Sequence, residues 1–198
     1  GQYITNAGTI TNRGVELGLD WNQSINRSLR YSINVNGAYN QNRVDKLNAG
    51  QPLFDGNVGN GFTTKTDNGQ PVGSFFLLEK VGIFQDAGQI SRSAQRSARP
   101  GDIEYRDVNG DGQINDDDRV FFGSYQPKFT YGVNGNLTFK ALDFSFGTYG
   151  TAGGKIYNGK RSVRGDFRDN IEAEIARNRW TPNNPTNEHP RANTQQER

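Results

Sequence analysis

The feature that most constrains this chain is a strict alternation of apolar residues with polar or small ones. The segment 15–22 reads Val-Glu-Leu-Gly-Leu-Asp-Trp-Asn, so every second side chain is apolar. Successive side chains of an extended strand point to opposite faces, and this period of two therefore predicts a β-strand with one apolar face. The pattern recurs in three further segments, which gives predicted strands at 15–22, 30–40, 128–139 and 142–150.

These strands are predicted to pair as two antiparallel hairpins. A short polar turn at 23–28 separates the first two strands, and a tight turn at 140–141 separates the last two. The other connections, 41–127 and 151–198, are long and rich in Gly, Asn and Asp. Outer-membrane barrels show the same division, with short periplasmic turns and long extracellular loops.

Alternation by itself leaves two fold classes open. In a soluble β-sandwich the apolar face forms the core, whereas in a transmembrane barrel it meets lipid and the polar face lines a wet lumen. The predicted strands are long, about 8 to 12 residues, and carry aromatic residues near their ends, as lipid-spanning strands do. We therefore expect an all-β chain that is part of a transmembrane antiparallel β-barrel.

Two segments outside the alternating strands also have recognisable patterns. Ser74 to Phe84 is apolar without a period of two. We expect it to be an extended, protein-covered part of an extracellular loop or, alternatively, a buried core strand of a soluble domain. Asp169 to Trp180 has Ile171 and Ile175 at helical spacing before Pro182, which predicts a surface helix in an external loop.

Composition excludes several classes of function. The formal net charge is only +2 and no compact basic stripe is present, so nucleic acid is not an expected ligand. The chain has no Cys, which excludes disulfides and thiolate metal sites. Its single histidine, His189, lies in a Pro-rich stretch with no nucleophile to serve, and we interpret it as a solvated loop residue. No enzyme activity is expected.

The sharpest local motif is an Asp-rich loop at 107–118, which reads Asp-Val-Asn-Gly-Asp-Gly-Gln-Ile-Asn-Asp-Asp-Asp. It matches the calcium-loop template, with oxygen-bearing side chains at the first, third and fifth positions, Gly at the sixth and a carboxylate at the twelfth. A hard cation prefers six or more oxygens, and alternate residues of a tight loop can supply them. The candidate ligands of a structural Ca²⁺ are Asp107, Asn109, Asp111, Gln113 and Asp118.

The calcium prediction has a metal-free alternative. Asp118 stands where the template has Glu, and neither flank resembles a helix of an EF-hand, because 101–106 is β-like and 120–123 is short and aromatic. A calcium sensor that opens a hydrophobic groove is therefore not expected. The alternative is an Asx-rich turn whose side chains satisfy their own backbone.

Six short motifs occur in a fixed order along the chain. They are Thr-Ile-Thr-Asn-Arg-Gly-Val-Glu-Leu at 9–17, Pro-Val-Gly-Ser-Phe-Phe at 71–76, Gly-Ile-Phe-Gln at 82–85, Pro-Gly-Asp-Ile at 100–103, Asp-Val-Asn-Gly-Asp-Gly at 107–112 and Phe-Thr-Tyr-Gly at 129–132. In this order they resemble the C-terminal barrel of SusC/RagA-like TonB-dependent transporters. Arg-Trp-Thr-Pro at 179–182 resembles a late external loop of that family. The resemblance is close over 9–150 and looser over 151–190.

The resemblance implies a place in the bacterial outer membrane, with lipid against the apolar face. Such transporters have a plugged barrel of about 22 strands, work with a SusD-like surface lipoprotein and the TonB complex, and import oligosaccharides or peptides. The chain begins at Gly1 and contains no Met, and we expect it to be a piece of barrel wall that lacks the plug and the C-terminal strand. Ligand contacts are expected from loop aromatics and from Asn and Asp side chains near the external face.

A different class of protein fits part of the pattern. A soluble, calcium-stabilised β-sandwich that binds glycans on a cell surface would account for the Asp-rich loop and for exposed aromatic residues. In that fold the apolar faces of the strands form a core. The two hypotheses therefore differ in the surroundings that they predict for the apolar face.

Overall fold

The computed structural model describes residues 8–48, 50–57, 61–159 and 171–192, and antiparallel β-structure dominates it. The strands are β1 (Gly8–Asn26), β2 (Leu29–Leu47), β3 (Leu53–Asp55), β4 (Thr64–Thr66), β5 (Ser74–Leu78), β6 (Lys80–Ile83), β7 (Ile103–Tyr105), β8 (Arg119–Ser124), β9 (Phe129–Phe139) and β10 (Leu142–Ala152). The helices are short: α1 (Ala87–Arg92), a 3₁₀ turn (Asp116–Asp118) and α2 (Ala173–Asn178). Within these ranges, no helix combines the length and apolar content needed to cross a bilayer.

The largest sheet contains the four long strands in the order β1-β2-β9-β10, with every neighbouring pair antiparallel. The register places apolar residues in rows across the sheet. Trp21 lies opposite Ile33, Ile33 opposite Gly135, and Gly135 opposite Phe146. Because directly opposed residues point to the same side of a sheet, the alternation read from each strand becomes one continuous apolar face.

Both predicted hairpins are confirmed, but the first is longer than the alternation indicated. β1 continues to Asn26 and β2 begins at Leu29, so the predicted turn at 23–28 shrinks to two residues. At the other end, polar cross-strand contacts replace apolar alternation: Asn42 Nδ2 donates to Asn12 Oδ1 over 2.8 Å. Hydrogen-bonded polar pairs thus extend the ladder into a region that has no apolar period.

Contacts divide the described chain into two compact units. The first comprises the described parts of 1–53, 65–74 and 123–156, and the second those of 54–64, 75–122 and 157–198. The first unit contains the long strands, and its buried apolar residues, Val44 and Leu47, lie at the far end of β2. The buried apolar residues of the second are Phe75, Ile83, Phe84, Ile90, Ile175 and Trp180.

The apolar segment Ser74 to Phe84 is extended, as expected, and forms two short strands, β5 and β6. Strand β5 belongs to a sheet with the order β3-β4-β5-β8, whereas β6 pairs with β7. Both ends of the segment are buried, with Ser74 and Phe84 fully inaccessible. The segment lacks a period of two because it is covered at its ends and changes sheets between Leu78 and Lys80.

The predicted helix at 169–180 is shorter in the structure. α2 spans Ala173–Asn178 and buries Ile175, one of the two isoleucines on which the prediction rested. Residues 169 and 170 lie outside the described residues. At the N-terminus of α2, Glu172 makes no side-chain capping hydrogen bond, so packing of Ile175 contributes more to this helix than capping does.

Gly135 is required where the ring of Phe146 crosses β9. A Cβ atom added at Gly135 would lie 2.1 Å from Phe146 Cε1, whereas one added at Gly18 of β1 would meet no atom within 4 Å. We expect Gly135→Val to displace the ring and to lower the free energy of unfolding by about 1–3 kcal/mol. Gly18→Val, the matched control, should leave it nearly unchanged. Urea unfolding followed by tryptophan fluorescence measures both, and equal losses would contradict this assignment.

Candidate functional site

The apolar face of the four-stranded sheet is the first candidate surface. Its side chains are exposed along all four strands: 64% for Leu17, 61% for Trp21 and 62% for Phe144. The other large exposed residues of this face include Val15, Leu19, Ile33, Val35, Tyr39, Phe129, Tyr131, Leu137, Phe139, Leu142 and Phe146. A contiguous exposed apolar surface of this extent marks a contact with lipid or with protein.

The opposite face is polar and uses amides more than charges. Asn34 Nδ2 donates to Asp20 Oδ1 over 2.7 Å, and Asn134 Nδ2 donates to Asn34 Oδ1 over 3.4 Å. Asn136 Nδ2 donates to Ser32 Oγ over 3.2 Å. These bonds connect neighbouring strands, so the face is a row of linked amide and hydroxyl groups that can still exchange hydrogen bonds with water or a ligand.

The Asp-rich loop of the second unit satisfies much of its own backbone. Asp107 accepts from the N–H of Gly110 (2.7 Å) through Oδ1 and from that of Gly112 (2.9 Å) through Oδ2. Asn109 Oδ1 accepts from the N–H of Asp111 (2.9 Å), and Asp111 Oδ1 accepts from that of Gln113 (2.8 Å). Asn109 and Asp111 thus form successive Asx turns, and Asp107 closes the loop across them.

Asp118 anchors the loop from the inside. Its side chain is fully buried; Oδ1 accepts from the N–H of Val108 (2.8 Å) and Oδ2 from that of Asn115 (2.9 Å). Asn115 in turn caps the 3₁₀ turn, which forms a reciprocal capping box. Hydrogen bonds from the N–H of Asn115, and then from those of Val108 and Asn109, lower the pKa of Asp118, although burial acts in the opposite direction.

The flanks agree with the sequence analysis, since β7 precedes the loop and β8 follows the 3₁₀ turn that ends it. Across the part of the chain that the structure describes, no three His, Cys, Asp or Glu side chains are grouped around a common point suited to a metal. The turn geometry does not use all of the oxygen lone pairs, because a carboxylate oxygen can accept more than one hydrogen bond. Ca²⁺ binding by Asp107, Asn109, Asp111, Gln113 and Asp118 therefore stays a prediction.

Replacement of Asp118 by Asn should open the loop. The amide can accept at only one oxygen, so the N–H of Val108 or that of Asn115 loses its partner and faces another donor. We expect local opening to become easier by about 1–3 kcal/mol, measured as faster hydrogen exchange at those two amides. Asp117→Asn, which alters an exposed neighbour, is the control and should not change the exchange.

The same loop should respond to acid. Because the pKa of Asp118 is lowered in the folded state, its stabilising contribution is complete above the ordinary carboxyl pKa of about 3.9. It is lost as the pH falls through the lowered value. Exchange at the amides of Val108 and Asn115 should therefore accelerate at the acid end of a pH series, and a rate that followed only the intrinsic pH dependence of exchange would contradict the anchoring role.

Two of the sequence motifs meet in the second unit. The segment 180–191 lies against Gly101 and Asp102: the N–H of Arg191 donates to the carbonyl of Gly101 (2.8 Å), and Arg191 Nε donates to Asp102 Oδ1 (2.6 Å). Trp180 Nε1 donates to Gln85 Oε1 (2.8 Å). Pro-Gly-Asp-Ile and Arg-Trp-Thr-Pro are thus two halves of one packing unit, which local sequence patterns do not reveal.

Gly101 makes this contact possible. Its φ is +93°, and a Cβ atom there would lie 2.5 Å from Trp180 Cε3 and 2.7 Å from Arg191 Cβ. We expect Gly101→Ala to release the segment 180–191, seen as faster tryptic cleavage after Arg191. Gly110→Ala is the control, because Gly110 also has a positive φ, +75°, but its added Cβ would meet open space. Equal effects of the two changes would show that backbone strain alone matters.

His189 requires a correction. It was interpreted as a solvated loop residue, but only 4% of its surface is exposed. Its carbonyl oxygen accepts from the N–H of Trp180 over 2.9 Å, and this bond holds the Pro-rich stretch against the body of the second unit. The sequence suggested exposure because Pro-rich stretches usually form loops on the surface.

Beside β7, the second unit has a shallow cavity of about 470 Å³. It is lined by Leu78, Ala94, Gln95, Ser97, Ala98, Asp102, Ile103, Tyr105, Gln113 and Ile114. Gln95 Nε2 donates to the carbonyl of Ile103 (3.0 Å), and Gln95 Oε1 accepts from the N–H of Tyr105 (2.7 Å). No local sequence pattern indicates this cavity, since its lining comes from four separate short segments.

Comparison with known proteins agrees with the motifs. The chain is 34% identical over 200 residues to TonB-dependent receptor P26 and 29% identical over 201 residues to TonB-dependent receptor P3, both of Formosa agariphila. These alignments include 96% and 98% of the chain and 20% of each relative. The chain therefore spans about a fifth of the length of these relatives. No family model matches it.

Solved structures share the fold. The RagAB peptide transporter aligns with a TM-score of 0.70 at 21% identity, over 96% of this chain and 20% of that one. The RagAB peptide importer in its "closed-closed" state gives 0.71, over 96% of this chain and 21% of that one. In its "open-open" state the TM-score is 0.66, over 92% and 19%. Together with the receptors, these structures confirm the family resemblance read from the motifs.

Proposed function

We propose that this chain, a SusC/RagA-like TonB-dependent transporter sequence over nearly all of its length, forms part of the wall and external loops of an outer-membrane nutrient importer. In this proposal the sheet β1-β2-β9-β10 is a section of a transmembrane β-barrel. Its apolar face meets lipid, and its polar face lines the lumen. Strands β9 and β10, with 11 residues each, have the length that a tilted lipid-spanning strand requires.

The observation that carries the proposal is the exposure of the apolar face. A β-sandwich would cover these side chains with a second sheet, yet Leu17, Trp21 and Phe144 are each exposed by about 60%. The opposite face is rich in amides that can exchange hydrogen bonds with water, which suits a wet lumen. A sheet that is apolar on its exposed face and polar on the other fits a barrel wall better than a soluble glycan-binding module.

The proposed partners follow from the relatives and from the motifs. A SusD-like surface lipoprotein would close the external side, and the TonB complex would supply energy through parts of the receptor outside this chain. The imported ligand would be an oligosaccharide or a peptide. The relatives are named receptors and transporters, which is consistent with a chain that has no catalytic role. A structural Ca²⁺ at the loop 107–118 is a separate proposal.

Spin labels can test which face meets lipid. The chain has no Cys, so single cysteines can be placed at Val35 and Phe144, and at their sequence neighbours Asn36 and Ser145, in the full-length receptor cleared of other cysteines. In bilayers, labels at Val35 and Phe144 should collide mainly with oxygen, which partitions into lipid. Labels at Asn36 and Ser145 should collide mainly with a water-soluble nickel chelate.

The result can contradict the proposal in two ways. If the labels at Val35 and Phe144 are immobile and shielded from both reagents, the apolar face is buried in protein, as the sandwich alternative requires. If all four labels collide with the nickel chelate, the sheet is not part of a membrane wall. The neighbouring pairs serve as internal controls because only the face differs within each pair.

A further inference from the structure

We propose that the outer edge of β7 is a binding site for a short, extended peptide, and that the carboxamide of Gln95 occupies the place of the N–H and C=O of one residue of that peptide. The proposal rests on the import function proposed above and names one ligand class for it. It is carried by the backbone geometry of β7, by the cavity beside it and by the charge of Arg96 next to that cavity.

Strand β7 has one edge paired with β6 and one edge turned away from it. The paired edge uses Asp102, whose carbonyl accepts from the N–H of Phe84 (3.0 Å), and Arg106, whose N–H donates to the carbonyl of Glu79 (2.9 Å). Alternate residues of a strand offer their backbone groups to opposite edges. The carbonyl of Ile103 and the N–H of Tyr105 therefore point to the other edge.

Gln95 meets both of these groups with one carboxamide. Its Nε2 donates to Ile103 O over 3.0 Å and its Oε1 accepts from the N–H of Tyr105 over 2.7 Å. A primary amide presents an N–H and a C=O on the same side, as one residue of an extended strand does toward its neighbour, and a strand added to the edge would use these two backbone groups of β7. The outer edge of β7 thus already binds an amide, and this amide belongs to the flexible side chain of Gln95.

The space for a longer amide ligand is next to this contact. Gln95, Ile103 and Tyr105 all line the cavity of about 470 Å³, a volume within the range of small-ligand sites, about 300–1,000 Å³. Leu78 and Ile114 add apolar surface for side chains. A peptide that displaced the Gln95 carboxamide would gain the two backbone hydrogen bonds and place its side chains over this surface.

A positive charge lies next to one wall of the cavity, which suits a ligand with a free C-terminal carboxylate. One wall is the segment 94–98, in which Arg96 is exposed between two lining residues. The other includes Gln113 of the Asp-rich loop. The lining carboxylate of Asp102 is paired with Arg191 at 2.6 Å, so its repulsion of a peptide carboxylate is reduced.

Hydrogen exchange of the full-length receptor with uncapped tetra-alanine tests the site. In the wild-type protein, the peptide should slow exchange at the amide of Tyr105, because a bound strand opens less often than a single side chain. N-acetylchitotriose also carries amides but cannot extend along a strand, and it should leave this exchange unchanged. Equal protection by both probes would overturn the assignment to a peptide, and no protection by tetra-alanine would overturn the site.

Variants give a second test, in which the direction of the change in peptide affinity is predicted. Gln95→Ala removes the internal competitor and should tighten tetra-alanine binding by about fivefold, the change that corresponds to one hydrogen bond of ordinary net strength. Gln41→Ala, an exposed glutamine on β2, should have no effect. Weaker binding by Gln95→Ala would overturn the placeholder role. If this variant does not fold, the exchange experiment on the wild-type protein still decides the proposal.

Charge can be tested with a matched ligand. Arg96→Gln should weaken binding of uncapped tetra-alanine but not of its C-terminal amide, and equal losses would overturn the role of the carboxylate. Uptake of labelled tetra-alanine by cells separates the site from the function. Import without protection of Tyr105 would contradict the site and leave the importer intact, whereas protection without import would support the site and contradict the importer.

Discussion

The backbone ladder between β2 and β9 is the interaction on which the other contacts of the sheet depend. It pairs Tyr39 with Phe129 at one end and Leu29 with Phe139 at the other, and so joins residues about 90 to 110 positions apart in sequence. The entropy cost of closing the long connection between β2 and β9 grows only slowly with the length of that connection. The many hydrogen bonds and apolar contacts of the ladder can offset this cost, and they bring two local hairpins together into one sheet with a single apolar face.

The ladder also fixes where the long connection between β2 and β9 begins and ends. The N–H of Asn40 donates to the carbonyl of Lys128 over 2.8 Å, so the chain leaves β2 and returns to β9 at neighbouring points. In the main sheet β2 and β9 are direct neighbours, although β3 to β8 lie between them in sequence. The residues between them are therefore free to form shorter strands, the Asp-rich loop and the cavity beside β7 without a change in the register of the long strands.

Features that depend on neighbouring residues could be predicted from the sequence, whereas features that depend on contacts between distant residues could not. The long strands were predictable because alternation is local and each strand exposes one apolar face. The polar ends of β1 and β2 were not, because they depend on cross-strand pairs such as Asn12 with Asn42. The contact of Gly101 with Trp180 joins residues about 80 apart. No local pattern indicates that a left-handed glycine at one point makes room for a tryptophan at the other.

The four strands of the main sheet also differ in length. β1 and β2 have 19 residues each, whereas β9 and β10 have 11, and the hairpin turns of the two pairs are level because Leu29 lies opposite Phe139. At about 3.3 Å per residue, the first hairpin therefore rises about 26 Å beyond the second. β9 does not extend alongside the part of β2 beyond Tyr39. The backbone groups on that side of β2 bond to irregular segments instead, as the N–H of Val44 does to the carbonyl of Gln70. The longer hairpin thus acts as a scaffold on which the connecting segments can fold. The length of each strand helps to determine where the sheet ends and its loops begin.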